Sequence, residues 1–313
     1  MQTVKTVFSE SEKISDKVRK MTENRKRAIA LGLFDGVHIG HRRVIQSAVS
    51  AAEKGFIPSV FTFGGGTLGE KRGAPVEYIY SDRYKEKLLE SLGICEIFSE
   101  DFGNLRDMSG DEFAEKILAD RLSAGYVVCG RDFRFGKGAS CGVNELAELG
   151  RRYSFEVCIS EDVSFEGEKI SSKSIRELLK DGKPERSSEL LGGDYTVFGE
   201  VVYGKQIGRT LDFPTINQHF GEGQLVPRFG VYATQTVIDG KAYYSVTNIG
   251  VKPTIEGGRA PLAETHILDY SGNLYGKTLA VAVKKFLRQE MKFNSLAELK
   301  SAISADIERC RNI

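Results

Sequence analysis

Two histidines lie three positions apart in the segment FDGVHIGH, just after the apolar run RAIALGLF. The pattern places His38 and His41 where a buried strand turns into a helix, and Gly36 lets the backbone approach a ligand there. A helix start offers free N–H groups and a positive dipole end, which suit phosphate. Two imidazoles at this place can donate hydrogen bonds to an α-phosphate as charge builds during substitution. The alternative is that both side chains are simply solvated in a loop.

A second candidate site is the segment ISSKSIR, residues 170–176, which also stands at the start of a helix pattern. Ser172 offers a hydroxyl group, while Lys173 and Arg176 offer positive charge. Together they can hold the two phosphates that leave ATP as pyrophosphate. Taken alone, the segment is more typical of serine N-capping with solvated cations. Its interpretation as a phosphate site therefore depends on the histidine pair.

A third cluster lies in the second half of the chain. Thr215 and Asn217, in GRTLDFPTIN, supply neutral oxygens that suit Mg²⁺ or a phosphate. In AETHILD, Glu264 and His266 share one face of a predicted strand, and the carboxylate can take a proton from a substrate hydroxyl. From the residues alone, purely structural roles for these side chains stay open.

The elements that position these residues change character along the chain. The first half alternates apolar runs with helical patterns, which predicts a parallel sheet with helices on both faces and ligands at the carboxyl ends of its strands. Beyond the polar, Gly-rich stretch 181–194 come short β-rich stretches and turn signals, which predict a small antiparallel barrel with a C-terminal helix. We therefore predict two domains, residues 1–184 and 185–313. The predicted strands are 27–34, 56–63, 94–98, 126–130 and 154–160, then 195–203, 230–238, 241–249, 264–270 and 277–287; the predicted helices are 39–54, 81–93, 109–124, 143–153, 172–182 and 295–310.

The charge balance, the lengths of the apolar runs and the cysteine spacing indicate which kinds of binding partner to expect. The 313 residues carry 44 basic and 43 acidic side chains without a strong basic block, which weighs against a nucleic-acid partner. No apolar run approaches the roughly 18 residues of a membrane span, and the N-terminal segment lacks the apolar core of a secretory signal. The five cysteines show no metal-binding spacing and indicate reduced thiols. We expect a cytoplasmic protein without a membrane or nucleic-acid partner, and the sequence leaves its oligomeric state open.

Almost the whole chain after the first 25 residues resembles the bifunctional riboflavin kinase/FMN adenylyltransferases (FAD synthetases) of bacteria. The matching motifs, in order, are LFDGVHIGH, GRDFRFGKG, ISSKSIR, GEVVYGKQIGRTLDFPTIN, VPRFGVYAT, NIGVKPT, ETHILD, LYGK and FLRQEMKF. The resemblance implies a Rossmann-like nucleotidyltransferase domain followed by a flavokinase barrel. It also implies that ATP phosphorylates riboflavin to FMN and then adenylylates FMN to FAD, releasing pyrophosphate, with Mg²⁺ in both steps. The partners would be small molecules: riboflavin, FMN and ATP.

The resemblance assigns roles to individual positions in each domain. In the first domain, His38, His41 and Arg176 would be catalytic. The other first-domain positions that would contact ATP are Gly36, Asp132, Ser172 and Lys173.

In the barrel, Gly204, Thr215 and Asn217 would bind ATP, the last two also holding the metal. Glu264 would be the general base on the ribityl 5′-hydroxyl, and Arg288 would lie near the flavin.

Two positions and one segment depart from the family pattern. Lys173 stands where the family usually has threonine, and Asp212 where it usually has glycine. The segment TFGGGTLGE, with Gly64–Gly66, replaces one that typically contains proline and histidine. These departures leave an alternative open, a riboflavin kinase whose adenylyltransferase domain is catalytically impaired.

Two other classes of protein must be weighed. A flavin- or nucleotide-binding regulator would keep both pockets without turnover, and the intact histidine pair, Arg176 and Glu264 argue against it. A class I aminoacyl-tRNA synthetase shares the HIGH tetrad and a distant Ser/Lys loop. Here the barrel motifs stand where its tRNA-binding domain would follow.

Overall fold

The chain folds into two compact units, each built around one sheet. The structure is a computed structural model, which describes residues 3–6, 25–64, 77–204, 213–221, 223–253 and 259–313. The first unit comprises Met1–Val76 and Asp82–Ile170, and the second comprises Glu77–Ser81 and Ser171–Ile313. Within the described residues, no helix combines the length and the apolar character needed to cross a bilayer.

The sheet of the first unit consists of five parallel strands with one antiparallel strand at its edge. The strands of this unit are β1 (Thr3–Thr6), β2 (Arg27–Leu31), β3 (Ile57–Phe63), β4 (Glu96–Glu100), β5 (Ala124–Gly130) and β6 (Glu156–Ser160), with a separate hairpin of β7 (Ser164–Phe165) and β8 (Glu168–Lys169). The order in the sheet is β1-β4-β3-β2-β5-β6, with β1 antiparallel to β4. Because the chain winds outward from β2 in both directions, the switch point where such sheets bind ligands lies between β2 and β5.

Helices cover both faces of this sheet, as the alternating pattern predicted. They are α1 (Ile39–Ser50), a 3₁₀ turn (Ala51–Lys54), α2 (Asp82–Ser91), α3 (Phe102–Leu105), α4 (Gly110–Glu112, continued as a π-helix over Phe113–Arg121), a second 3₁₀ turn (Lys137–Ala139) and α5 (Val143–Tyr153). Strand β2 shows how the layers form. Ile29 and Leu31 belong to one buried cluster, while Ala28 and Ala30 belong to another, because successive side chains point to opposite faces.

In its described residues, the second unit is a curled antiparallel sheet with three helices. Its elements are α6 (Ser172–Lys180), α7 (Pro184–Leu191), β9 (Tyr195–Glu200), β10 (Thr215–His219), β11 (Gly230–Ile238), β12 (Lys241–Pro253), β13 (Arg259–Ile267), β14 (Thr278–Arg288) and α8 (Leu296–Arg311). The strand order is β10-β13-β12-β11-β14-β9. The two edges approach each other where the Val202 amide donates to the Asn217 carbonyl at 2.9 Å. The predicted fold class, a parallel α/β domain followed by an antiparallel half-barrel with a final helix, is confirmed.

One face of this sheet is lined by buried hydroxyl groups. Thr234, on β11, lies 2.8 Å from the Thr247 hydroxyl on β12, which in turn lies 2.9 Å from the Thr265 hydroxyl on β13. Each of these side chains is at most 1% exposed, so the mutual hydrogen bonds offset the cost of burying them. Glu264 directly precedes Thr265 on β13, so it points to the other face. Asn217 on β10 is directly opposite Glu264 and therefore lies on that same face.

Two local expectations differ from the structure. The stretch 181–194, expected to be a polar boundary, contains helix α7, whose proline occupies the first turn and whose Leu190 and Leu191 are buried. The segment around Thr215 is absent from the predicted strands, but it forms strand β10. The ATP-motif helix α6 groups with the second unit, while the predicted division after residue 184 stays a prediction. Gly65, Gly66 and Asp212 lie outside the described residues.

Candidate active sites

The histidine pair lies at the turn from β2 into α1. His38 is the N-cap of the helix, and its Nδ1 accepts a hydrogen bond from the His41 backbone N–H at 3.2 Å. The turn requires positive φ angles at Phe34 (53°), Gly36 (81°) and Val37 (44°). Positive φ is costly at the two non-glycine positions, and such strain is often found at binding sites.

The two imidazole rings stack on each other and are electrically neutral. Their centroids are 3.5 Å apart, with planes 16° apart. Burial lowers the pKa of His38 to about 4. Burial lowers the pKa of His41 well below its usual value. The repulsion that a proton on His41 would meet from a protonated His38, and the charge of Lys85, lower it further. Because Nδ1 of neutral His38 accepts a hydrogen bond, its proton must be on Nε2, which leaves that nitrogen a donor.

His41 carries a further sign of a ligand site. Its Nδ1 atom is buried, and it has no hydrogen-bond partner among the residues that the structure describes. Buried polar atoms are nearly always paired in native proteins, so an orphaned one at a helix start calls for an external partner.

Asp132 follows β5 at the same switch point. Its carboxylate pairs with Lys169 Nζ at 3.2 Å, and that lysine also contacts Asp162 at 3.3 Å. The negative charge of Asp132 acts on His38, where it partly opposes the effect of burial. The structure thus brings together the two loops of the first unit in which Gly36, His38, His41 and Asp132 were predicted to contact a nucleotide.

The sequence did not predict an aromatic cavity of about 510 Å³ in the first unit. It is lined by six phenylalanines, and three cations lie at its edge. These residues are Phe61, Phe63, Phe102, Phe113, Phe133 and Phe135, with Arg106, Arg134 and Lys137. The available signal was the alternation of Phe133 and Phe135 in GRDFRFG, which directs both rings to one side of the chain. Such a cavity suits a large, flat, mostly apolar ligand.

The Ser/Lys motif forms the start of α6 in the second unit. The hydroxyl of Ser171 accepts from the Ser174 N–H at 3.2 Å, which is an ordinary N-cap. Ser172 and Arg176 are partly exposed, while Lys173 is exposed and lies 3.9 Å from Glu177. A phosphate-binding role for these residues stays a prediction.

In the curled sheet, strand register brings the third cluster together. Asn217 on β10 is directly opposite Glu264 on β13, and Thr215 is directly opposite His266. Asn217 is buried, whereas Glu264 is half-buried, so the carboxylate is not sealed in the hydroxyl-lined interior. A Cβ atom at Gly204 would overlap the Asn217 amide, so any larger residue there must displace that amide.

Thr215 and Arg288 are two further predicted site residues of the second unit. Thr215 lines a cavity of about 280 Å³. Arg288 donates to the buried Asp306 carboxylate on α8 at 2.8 Å and lies over the Phe293 ring. Arg288 therefore fixes the chain after β14 against α8, and its flavin contact stays a prediction.

The oxygen donors at this site fit Mg²⁺ held together with a nucleotide. Thr215 and Asn217 offer one hydroxyl and one amide oxygen, and Mg²⁺ commonly completes its shell with phosphates and water. In the described ranges, no group of three or more His, Cys, Asp or Glu side chains is arranged to hold a metal. These residues therefore suit a metal that arrives with ATP better than a permanently bound one.

A parallel sheet with neutral histidines at a helix start, joined to a curled sheet with an Asn/Glu pair, defines a two-part transferase that uses nucleotides. Family models match both parts, FAD synthetase over residues 20–174 and riboflavin kinase over residues 191–313. The chain belongs to the family of bifunctional riboflavin kinase/FMN adenylyltransferases. The predicted family is thereby confirmed.

Relatives with that name align over most of both chains. The protein of Listeria monocytogenes is 32% identical over 292 residues, covering 91% of each chain. That of Escherichia coli K12 is 33% identical over 292 residues, covering 89% of this chain and 90% of its own. A solved structure described as a macrolide-efflux protein from Streptococcus pneumoniae is 28% identical and covers 93% of this chain, with a TM-score of 0.79. Neither relative's name supports the alternative of a kinase with an impaired first domain.

Proposed function

We infer that this chain makes FAD from riboflavin in two ATP-dependent steps, phosphorylation to FMN and adenylylation of FMN to FAD. The observation that carries this inference is the presence of two chemically different clusters in two units. The first has neutral hydrogen-bond donors at a helix start, which suit an α-phosphate. The second has a half-buried carboxylate beside neutral oxygen donors, which suits proton removal from a hydroxyl next to a bound nucleotide.

We propose that the curled sheet performs the kinase step. Glu264 accepts the proton of the ribityl 5′-hydroxyl while that oxygen attacks the γ-phosphorus of ATP. The bond from this phosphorus to the bridging oxygen breaks, and ADP leaves. Gly204, Thr215 and Asn217 hold the phosphates in line with the hydroxyl. Bound Mg²⁺ would neutralise phosphate charge.

We propose that the parallel sheet performs the adenylyl transfer. A phosphate oxygen of FMN attacks the α-phosphorus of ATP, and pyrophosphate leaves. Since this nucleophile is already anionic, no general base is needed, and catalysis depends on position and charge stabilisation. Nε2–H of His38 and the neutral ring of His41 donate to α-phosphate oxygens.

The remaining predicted ATP ligands of this step have supporting roles. We propose that Ser172, Lys173 and Arg176 bind the phosphates of pyrophosphate, and that Asp132 contacts the nucleotide. A lysine ammonium and an arginine guanidinium form strong, charge-assisted hydrogen bonds with phosphate oxygens, which suits the anionic leaving group.

The aromatic cavity is the proposed flavin site of the first unit. Its volume and six phenylalanines suit the isoalloxazine ring, which is flat and can stack on aromatic side chains. Replacing Phe133 by alanine should raise the KM for FMN about tenfold, because one aromatic contact contributes about 1 kcal/mol or more. An unchanged KM would place the flavin elsewhere.

We further propose a cytoplasmic location and small-molecule partners only. All five cysteines are free, as expected in a reducing compartment. The near balance of acidic and basic residues gives nucleic acid no obvious surface to bind.

The experiment that tests the proposed function is an incubation with riboflavin, ATP and Mg²⁺, with chromatographic separation of the flavins. Formation of FMN followed by FAD supports both steps. FMN alone would refute the adenylyl transfer, and neither product would refute catalysis altogether.

A further inference from the structure

A row of three polar side chains crosses the outer face of the curled sheet. Asn217 on β10 and Asn248 on β12 are both directly opposite Glu264 on β13, one on each side. Residues directly opposite in antiparallel strands point to the same face, with Cβ atoms about 4.5–5.5 Å apart. Glu264 therefore has an asparagine neighbour on each side, Asn217 on β10 and Asn248 on β12.

Asn248 is held from its other side by a second carboxylate. Its Nδ2 atom donates to Glu290 Oε1 at 3.2 Å. Glu290 reaches over the strand at Gly250, two residues further along the same face. A Cβ atom at position 250 would overlap the Glu290 carboxylate, so the absence of a side chain there permits this contact.

The segment that carries Glu290 is itself fixed. Arg288, two residues earlier, donates to both oxygens of Asp306 on α8, at 2.8 and 3.2 Å among its contacts. Asp306 is only 2% exposed. This buried ion pair ties the end of β14 to the C-terminal helix, so Glu290 is presented to Asn248 from an anchored backbone rather than from a free loop.

A side-chain amide has two N–H donors on one nitrogen. Glu290 takes one of the two donors of Asn248. The second N–H can then be directed at the carboxylate of Glu264.

We propose that Asn248 is a positioning residue for phosphoryl transfer, which orients the Glu264 carboxylate toward the ribityl hydroxyl, and that Glu290 sets the orientation of its amide. This inference rests on the proposed role of Glu264 as the general base. Asn248 touches neither substrate in this account, so its loss lowers kcat and leaves the KM values for riboflavin and ATP nearly unchanged.

The test is a steady-state comparison of riboflavin phosphorylation by full-length variants. Asn248→Ala should lower kcat about 10- to 100-fold, part of the 10²- to 10⁴-fold contribution of a well-placed general base. Glu290→Ala should lower kcat by a similar factor. Glu290→Gln keeps an oxygen acceptor in the same place, so it should lose only about threefold, since neutral hydrogen bonds are roughly half as strong as charge-assisted ones.

Two controls separate positioning from damage to the fold. Glu308→Ala removes an exposed carboxylate from α8 in the same unit and should keep parental kinase activity. FAD formation from supplied FMN, for which Asn248, Glu264, Glu290 and Glu308 have no proposed role, should be parental in every variant.

A double mutant gives the sharpest readout. Adding Asn248→Ala to Glu264→Gln should cause no further loss, because residues that act through one another are not additive. An unchanged kcat in Asn248→Ala, a loss confined to KM, or an additive loss in the double mutant would overturn the proposal. Parental FMN formation by Glu264→Gln alone would instead overturn the proposed function on which it rests.

Discussion

Acidification should destabilise the first unit through the buried His38. Burial lowers the pKa of this side chain from 6.5 to about 4, so between these values the unfolded chain takes up a proton that the folded chain does not. The contribution of His38 to the free energy of unfolding is therefore fully present above pH 6.5 and is lost as the pH falls toward 4. At about 1.4 kcal/mol per pKa unit, the full loss is about 3 kcal/mol.

The matched variant is His38→Asn. Asparagine is a good N-cap and can still accept from the His41 N–H, but it has no proton to gain in this range. We would measure the free energy of unfolding in urea by circular dichroism at about pH 7.5 and 4.5 for both chains. The parent should lose about 2–3 kcal/mol more than the variant over this interval. Parallel losses would refute the argument that the histidine is buried in its neutral form.

Three further predictions concern single residues of the second unit. Glu264→Gln should reduce FMN formation by about 10²- to 10⁴-fold and leave FAD formation from supplied FMN unchanged, as separated by chromatography; loss of both activities in a folded variant would contradict the division of labour. Gly204→Ala should lower the kinase kcat/KM at least about tenfold, since the added methyl group displaces the Asn217 amide from its position; a parental value would show that this contact is dispensable. Asp306→Ala should destabilise the fold by about 3 kcal/mol in urea unfolding, because it leaves Arg288 without its buried partner; a change below about 0.5 kcal/mol would contradict the anchoring role.

The elements of the fold were largely predictable because their apolar periodicities are regular. The buried strands of the first unit read as continuous apolar runs, and the predicted helix 109–124 begins with a capping box formed by Ser109 and Glu112. Helix α7 was missed because its eight residues lie in a polar, Gly-rich context. So short a helix is stabilised mainly by tertiary packing of its apolar side, which the local sequence does not reveal. Strand β10 was missed because a proline precedes it, and its pairing with β13 is a long-range contact that local pattern does not contain.

The candidate sites were predictable as motifs but not as geometries. The sequence placed His38 and His41 at a strand-to-helix turn, and the structure adds that the rings stack and are neutral. It offered Asn217 and Glu264 as separate candidates, whereas their direct opposition depends on strand register. The register between β12 and β13 likewise places Asn248 directly opposite Glu264. The aromatic cavity collects residues from distant segments, so nothing in a single motif predicts it.

ATP labelled at a single phosphate shows whether this one chain cleaves ATP at two different phosphorus atoms. The parent protein would be incubated with riboflavin and Mg²⁺, in one sample with ATP labelled at the γ-phosphate and in another with ATP labelled at the α-phosphate. We expect the γ-label in both FMN and FAD, and the α-label in FAD and never in FMN. FAD without α-label, or FMN without γ-label, would contradict this expectation.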